Sequence, residues 1–198
     1  MGLLYEAAKA WENLNNKEYV FIVAHKKKKN EIELTFNYED FPHLIGMHYA
    51  KDVDFGLNEA EYYGNRLVPA IINKVLDDEK IEQSRNWNNI SGRLNSIIKL
   101  QNTLDNDFGI FKFNSKKVRG HSRIEAKYVI KNLSTEEVYF VFFDEADKRF
   151  FCKSTFQKNN IDYSENQTRL TMLQKTKIVD GTSRLLYQKE TYIDTPKT

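Results

Sequence analysis

A histidine flanked by apolar residues is the first feature of this sequence that suggests chemistry. The spacing of Phe41, Leu44 and Ile45 around His43 predicts a short helical turn that ends at Gly46 and holds the imidazole in place. An imidazole changes its charge near neutral pH, so His43 is a candidate general acid or base. The alternative is a partly buried histidine whose role is structural.

The histidines do not form a metal-binding pattern. Only His43 and His48 lie close together in the sequence, five residues apart. That spacing does not put two ring nitrogens on one helix face, and no nearby pair of carboxylates completes a zinc site. The chain also lacks a glycine-rich phosphate loop and a dinucleotide fingerprint. We therefore expect neither a metal nor a cofactor.

Charged and apolar residues alternate over a second candidate segment. If Ile124 and Ala126 point into the core, then Arg123, Glu125 and Lys127 share the opposite face of a strand. The basic side chains of this row can hold a phosphate while Glu125 orients a partner group. The alternative is a solvated strand face with cross-strand ion pairs.

A polar break interrupts an apolar strand at Lys153, Ser154 and Thr155. The two hydroxyl groups are candidate hydrogen-bond donors to a phosphoryl oxygen. The alternative is that the break marks a sheet edge or a β-bulge. The preceding Cys152, the single cysteine of the chain, lies in a predicted inner strand, where a free cysteine is usually inert.

The elements that carry these residues predict an α+β fold. Apolar residues at helical spacing indicate a first helix over residues 3–14, and a hairpin follows whose tip carries the lysine tract 26–29. That tract is either a solvated turn, which is the interpretation we favour, or a phosphate contact. A helical insert is predicted at about residues 59–105, and after it a four- to six-stranded antiparallel sheet.

Length and composition exclude several classes of protein. The chain has 198 residues, of which 40% are hydrophobic, so a single domain with a sizeable core is expected over residues 1–198. The net charge of +2 argues against broad nonspecific affinity for nucleic acid. The lone cysteine suits a reducing cytoplasm, and no apolar segment approaches the length of a membrane span.

Three segments together resemble a known family. Residues 41–46 read Phe-Pro-His-Leu-Ile-Gly and resemble the Phe-x-His-Leu-x-Gly signature of phage-associated nuclease-like proteins, in the group of barnase, EndoU, the RNase colicins and RelE. Residues 122–128 resemble the Ser-x-Ile-Glu-Ala-Asp-Tyr strand of that family, and residues 153–156 resemble its Ser-Phe strand. The similarity runs from about residue 18 to residue 178.

The resemblance implies N-terminal helices followed by a roughly four-stranded antiparallel sheet, and RNA cleavage without a metal. In that chemistry a base removes the ribose 2′-hydroxyl proton, the oxygen attacks the adjacent phosphate, and an acid protonates the leaving 5′-oxygen. When the family's catalytic positions are carried over to this sequence, the resemblance implies as catalytic residues His43, Arg123, Ser154 and Thr155. Glu125, Lys127 and Lys153 are substrate-binding candidates, although Lys127 stands where the family has an acidic residue.

Two functions follow from these observations. The first is an endoribonuclease of phage or mobile-element origin that acts as a toxin or effector on an RNA substrate in the cytoplasm. The second is a non-catalytic protein on the same scaffold that binds a host protein or nucleoprotein, such as a component of CRISPR defence. The near-neutral charge and the helical insert favour the second function, and the three segments favour the first.

Overall fold

The computed structural model describes residues 2–55, 65–76, 79–120, 122–133 and 137–193. Residues 59–64 and 77–78 of the predicted insert, and His121, lie outside these ranges. The helices are α1 (Leu3–Asn15), α2 (Phe41–Ile45), α3 (Leu67–Ile72) and α4 (Trp87–Asp105). The strands are β1 (Lys17–His25), β2 (Lys28–Thr35), β3 (Phe108–Lys112), β4 (Tyr128–Asn132), β5 (Tyr139–Ala146), β6 (Arg149–Gln157), β7 (Thr168–Val179) and β8 (Thr182–Gln188).

The N-terminal helix and hairpin form as the sequence predicts. Helix α1 buries its apolar stripe, including Trp11, whose indole N–H donates to the backbone oxygen of Asn37 at 2.9 Å. Strands β1 and β2 pair antiparallel, and the turn between them places Lys26 and Lys27 at positive φ. The same left-handed geometry occurs at the β7–β8 turn, where the Asp-Gly pair predicts a hairpin.

The strands build one sheet that closes into a barrel. Their order is β1-β2-β6-β5-β4-β3-β7-β8, and an additional pairing of β1 with β7 closes the sheet. Strand β2 runs parallel to β6, whereas the other pairs are antiparallel. The α+β class is therefore confirmed, but the predicted sheet of four to six antiparallel strands is wrong. The reason is that β1 and β2 join the later strands instead of standing apart as a separate hairpin.

Strand β5 separates two apolar clusters. Val141 and Phe143 belong to the larger cluster, which the four described helices share with one sheet face, while Phe140 and Phe142 belong to a smaller cluster on the other face. Strand β5 is thus apolar on both faces, as is typical of a central strand. Helices α2 and α4 both pack against β6 and against each other.

Helix α4 forms the longest described part of the helical insert. Its apolar residues recur at helical spacing and are buried: Ile90, Leu94, Ile97, Leu100 and Leu104. Within the described ranges, no helix combines the length and the hydropathy needed to traverse a bilayer.

Candidate active site

Helix α2 presents His43 to solvent while its neighbours hold the helix in the core. Phe41, Leu44 and Ile45 are buried, whereas His43 is exposed. Gly46 ends the helix at φ +80°, a left-handed conformation that glycine adopts without steric cost. A Cβ at Gly46 would lie 2.8 Å from a ring carbon of Tyr49, so the turn packs closely there. The short helix predicted around His43 is present.

The ring of His43 lies against a second imidazole. Its centroid is 5.7 Å from that of His48, with an angle of 22° between the ring planes. The His48 ring contacts Tyr49, whose own ring carries the guanidinium of Arg93 at 5.5 Å. Arg93 also donates to the backbone oxygen of Leu44 at 3.3 Å, which ties α4 to α2.

Desolvation and neighbouring cations lower the pKa of both imidazoles. Partial burial, followed by the charges of Arg93 and Lys153, holds the pKa of His43 below its ordinary value of 6.5. For His48, partial burial lowers the pKa first, and His43, Arg93 and Lys51 lower it further. Both rings are therefore mainly unprotonated at pH 7. A neutral imidazole can accept a proton, as a general base must.

A β-bulge places Lys153 near this site. The register pairs Phe143 with Cys152 and Phe142 with Ser154, so that Lys153 is the additional residue of β6. The polar break is thus a bulge, which was one of the two interpretations drawn from the sequence. The Lys153 ammonium donates to Asp144 at 2.8 Å while its charge acts on His43.

The two hydroxyl candidates point to opposite faces of β6. Ser154 lies across from Phe142 of the smaller cluster, and Thr155 lies across from Val141 of the larger one. Thr155 is fully buried, and its hydroxyl has no hydrogen-bond partner among the described residues. A single phosphate cannot contact both side chains in this arrangement.

The row from Arg123 to Lys127 alternates in burial as predicted, although residues 122–126 do not form a strand. Ile124 and Ala126 pack against the smaller cluster, and Arg123, Glu125 and Lys127 are exposed. Lys127 forms an ion pair with Glu145 of β5. In the part of the chain that the structure describes, Arg123 makes no ion pair and nothing brings it into contact with His43.

A polar cleft of about 550 Å³ opens at Tyr49, whose ring contacts His48. It shares Tyr49 and Arg93 with the site just described, and Ile124, next to Arg123 in the sequence, lines it too. We call it the Arg93 cleft, and its lining residues are Tyr49, Asn88, Asn89, Gly92, Arg93, Ile124, Phe156, Gln157, Lys158, Asn159 and Tyr163. Its volume lies within the range of small-molecule sites.

Sequence reasoning missed Arg93, which the structure places at the centre of the site. The signal that could have found it is the glycine before it. Gly92 lies within helix α4, where glycine is less favourable than alanine, and such a glycine can have a packing or a functional reason. Nothing lies within 4 Å of a Cβ built at Gly92, so packing does not account for this glycine.

The comparisons with known proteins identify a family. A family model described as phage-Barnase-EndoU-ColicinE5/D-RelE like nuclease 4 matches residues 3–191. No curated protein and no solved structure matches the chain. Among the described residues, no group of three or more His, Cys, Asp or Glu side chains is arranged to hold a metal ion.

Proposed function

Because the chain belongs to this family of phage-associated barnase-, EndoU-, colicin- and RelE-like nucleases, we propose that it is an endoribonuclease that needs no metal. The proposed role is that of a toxin or effector of phage or mobile-element origin. The substrate is RNA, because the 2′-hydroxyl group supplies the nucleophile.

The stacked pair of His43 and His48 carries this proposal. His43 takes the proton of the ribose 2′-hydroxyl, and the oxygen attacks the adjacent phosphorus. The bond from phosphorus to the 5′-oxygen then breaks, and His48 gives the leaving oxygen its proton. The products are a 2′,3′-cyclic phosphate and a free 5′-hydroxyl. Two titratable imidazoles in ring contact support this division of proton transfers.

Cationic side chains stabilise the charge that develops on the phosphate. Arg93 and Lys153 already act electrostatically on His43, so a phosphate beside that ring lies in their field. Arg123 is exposed and precedes Ile124, which lines the Arg93 cleft, so we propose it as a third cation along the path of the RNA backbone. Bound phosphate also offsets the positive field and raises the pKa of the imidazole that must act as the acid.

The experiment that tests this proposal is incubation of the purified protein with total RNA in the presence of EDTA. We expect cleavage products that end in a cyclic phosphate. His43→Ala is expected to lower the rate by about 10²–10⁴-fold, the usual contribution of a general acid or base. The matched control is His25→Ala at the end of β1, which should cleave like the wild type.

Two results would overturn the proposal or its central residue. Intact RNA after incubation with the wild type, across several kinds of RNA, would exclude nuclease activity and favour the binding function. Cleavage that persists in His43→Ala would exclude the proton-transfer role of His43.

A further inference from the structure

We propose that the Arg93 cleft is a nucleobase-binding subsite that accepts one unpaired base of the RNA. This inference rests on the proposed function, because the base would belong to the RNA that the nuclease cleaves. The cleft and the histidine pair are continuous through Tyr49 and Arg93, which belong to both. A nucleotide whose phosphate lies beside Arg93 can therefore place its base in the cleft.

Side-chain amides give the cleft the chemistry of base recognition. Asn88, Asn89 and Gln157 line it, and their amide groups make no hydrogen bond to any residue that the structure describes. Asn159 uses its amide oxygen to accept from the N–H of Ile161 at 3.0 Å, which leaves its amino group available. Each amide offers both donors and an acceptor, which match the polar edge of an unpaired base.

Aromatic rings form the walls of the cleft. Phe156 and Tyr163 lie with their centroids 5.2 Å apart and their planes at 71°. Phe156 is half-buried and lines the cleft, and Tyr49, which is 38% exposed, lines it too. Flat aromatic surfaces of this kind stack on bases in proteins that bind single strands. Polar edges together with stacking surfaces fit a base better than they fit an ion.

Gly92 keeps the floor of the cleft open. Glycine is less favourable than alanine within a helix, and a Cβ here would meet no atom within 4 Å. A larger residue at position 92 would therefore fold without a clash but would occupy the cleft. The absence of a side chain is what allows a planar ligand to approach the helix backbone next to Arg93.

The test uses Gly92→Leu, which fills the cleft, and Asn95→Leu as the matched control, because Asn95 is exposed on α4 outside the cleft. The probes are four short 2′-O-methyl RNA oligonucleotides that differ in one central base and cannot be cleaved through the 2′-oxygen. We expect the wild type and Asn95→Leu to prefer one base by about tenfold in Kd. Gly92→Leu should bind all four equally, with the preferred one weakened about tenfold.

Measurements of RNA cleavage and of base preference test the nuclease proposal and the subsite proposal separately. Equal binding of the four oligonucleotides by the wild type, or an unchanged preference in Gly92→Leu, would overturn the subsite even if RNA is cleaved. A base preference that Gly92→Leu abolishes would support the subsite even if no RNA is cleaved, and in that case only the nuclease proposal fails. Asn88→Ala and Gln157→Ala, which leave the cleft open, should change the size of the preference.

Discussion

The imidazole rings of His43 and His48 lie nearly parallel, with an angle of 22° and a centroid separation of 5.7 Å. Partial burial and the surrounding cations lower the pKa of each ring. The free site is therefore neutral at its imidazoles and positive at its rim, which suits a ligand that brings negative charge. Phosphate binding and imidazole protonation are then coupled, because each favours the other.

The first prediction concerns the pKa of His43. Lys153→Met removes a positive charge that acts on this ring, so the pKa of His43 should rise toward 6.5. Titration followed by NMR of the ring protons measures it. Activity alone is less direct, because burial raises the pKa of nearby Asp40 to about 6, in the same pH range.

The control for this titration is Lys99→Met, which removes an exposed lysine from α4. It should leave the pKa of His43 where it is in the wild type. If both variants shift His43 equally, or if neither does, then Lys153 does not act on His43 through proximity.

The second prediction concerns Gly46. Alanine at φ +80° is strained by about 1–2 kcal/mol, and its Cβ would also press on Tyr49 at 2.8 Å and on Arg93 at 3.1 Å. Gly46→Ala should therefore lower the free energy of unfolding and reduce RNA cleavage by about tenfold or more, because small displacements at a site are costly. Denaturant unfolding and cleavage rates measure the two effects.

Gly120 provides the matched comparison for Gly46. Its φ is +87°, but nothing lies within 4 Å of a Cβ built there. Gly120→Ala should thus show the backbone strain without loss of cleavage. Equal activities in the two alanine variants would mean that the contacts of Gly46 with Tyr49 and Arg93 do not matter for the site.

Local sequence patterns predicted the helices and strands well, but the closure of the sheet depends on pairing between distant strands. The spacing of apolar residues located α1, α4 and the later strands, since these signals arise within each element. Closure depends on β1 pairing with β7, which begins about 150 residues further along the chain, and on β2 running parallel to β6. No periodicity within a strand specifies its partner, so the number of strands in the sheet was underestimated.

The candidate site was predicted in part for the same reason. His43 was located because its motif and its helical turn are local features. Lys153 was located as part of a polar break in the sequence. The β-bulge that positions its side chain depends on the pairing register of β5 and β6, which the sequence does not specify. Arg93 was missed because its importance comes from the packing of α4 against α2, which brings together residues about 50 positions apart.

The third prediction concerns Lys175, a buried lysine of β7 that contacts the C-terminal end of α4. Lys175 donates to the backbone oxygens of Leu104, Asp105 and Asn106 at 2.6–3.2 Å, and its ammonium lies 4.8 Å from the ring centroid of Phe108. Lys175→Met would leave carbonyls at the helix end without a donor. We expect a loss of about 2–3 kcal/mol in the free energy of unfolding, measured by denaturant titration.

Lys112→Met is the control, because Lys112 is an exposed lysine on the neighbouring strand β3. It should change stability by less than about 0.5 kcal/mol. A similar stability for both variants would show that the carbonyl groups find other donors or water when Lys175 is replaced.

The fourth prediction concerns the acid stability of the loop that carries Tyr163. Burial raises the pKa of Asp162, but hydrogen bonds from Lys131 and Ser164 outweigh burial and lower it from 3.8 to about 2. A carboxylate with a depressed pKa stabilises the fold above the pKa of the unfolded chain, and this contribution is lost as pH falls through the folded value. The change from 3.8 to about 2 corresponds to about 2.5 kcal/mol, which solvent screening of this partly exposed carboxylate reduces to about 2 kcal/mol.

Asp162→Asn should accordingly be less stable than the wild type by about 2 kcal/mol at pH 6, and the difference should shrink between pH 4 and pH 2. Denaturant unfolding at a series of pH values measures it. Asp147→Asn, in an exposed turn at positive φ where asparagine is tolerated, serves as the control and should follow the wild type. A stability difference for Asp162→Asn that is the same at pH 6 and pH 2 would mean that the carboxylate charge contributes nothing.

Since Tyr163 follows Asp162 and lines the Arg93 cleft, the same variant should also weaken binding of the preferred oligonucleotide.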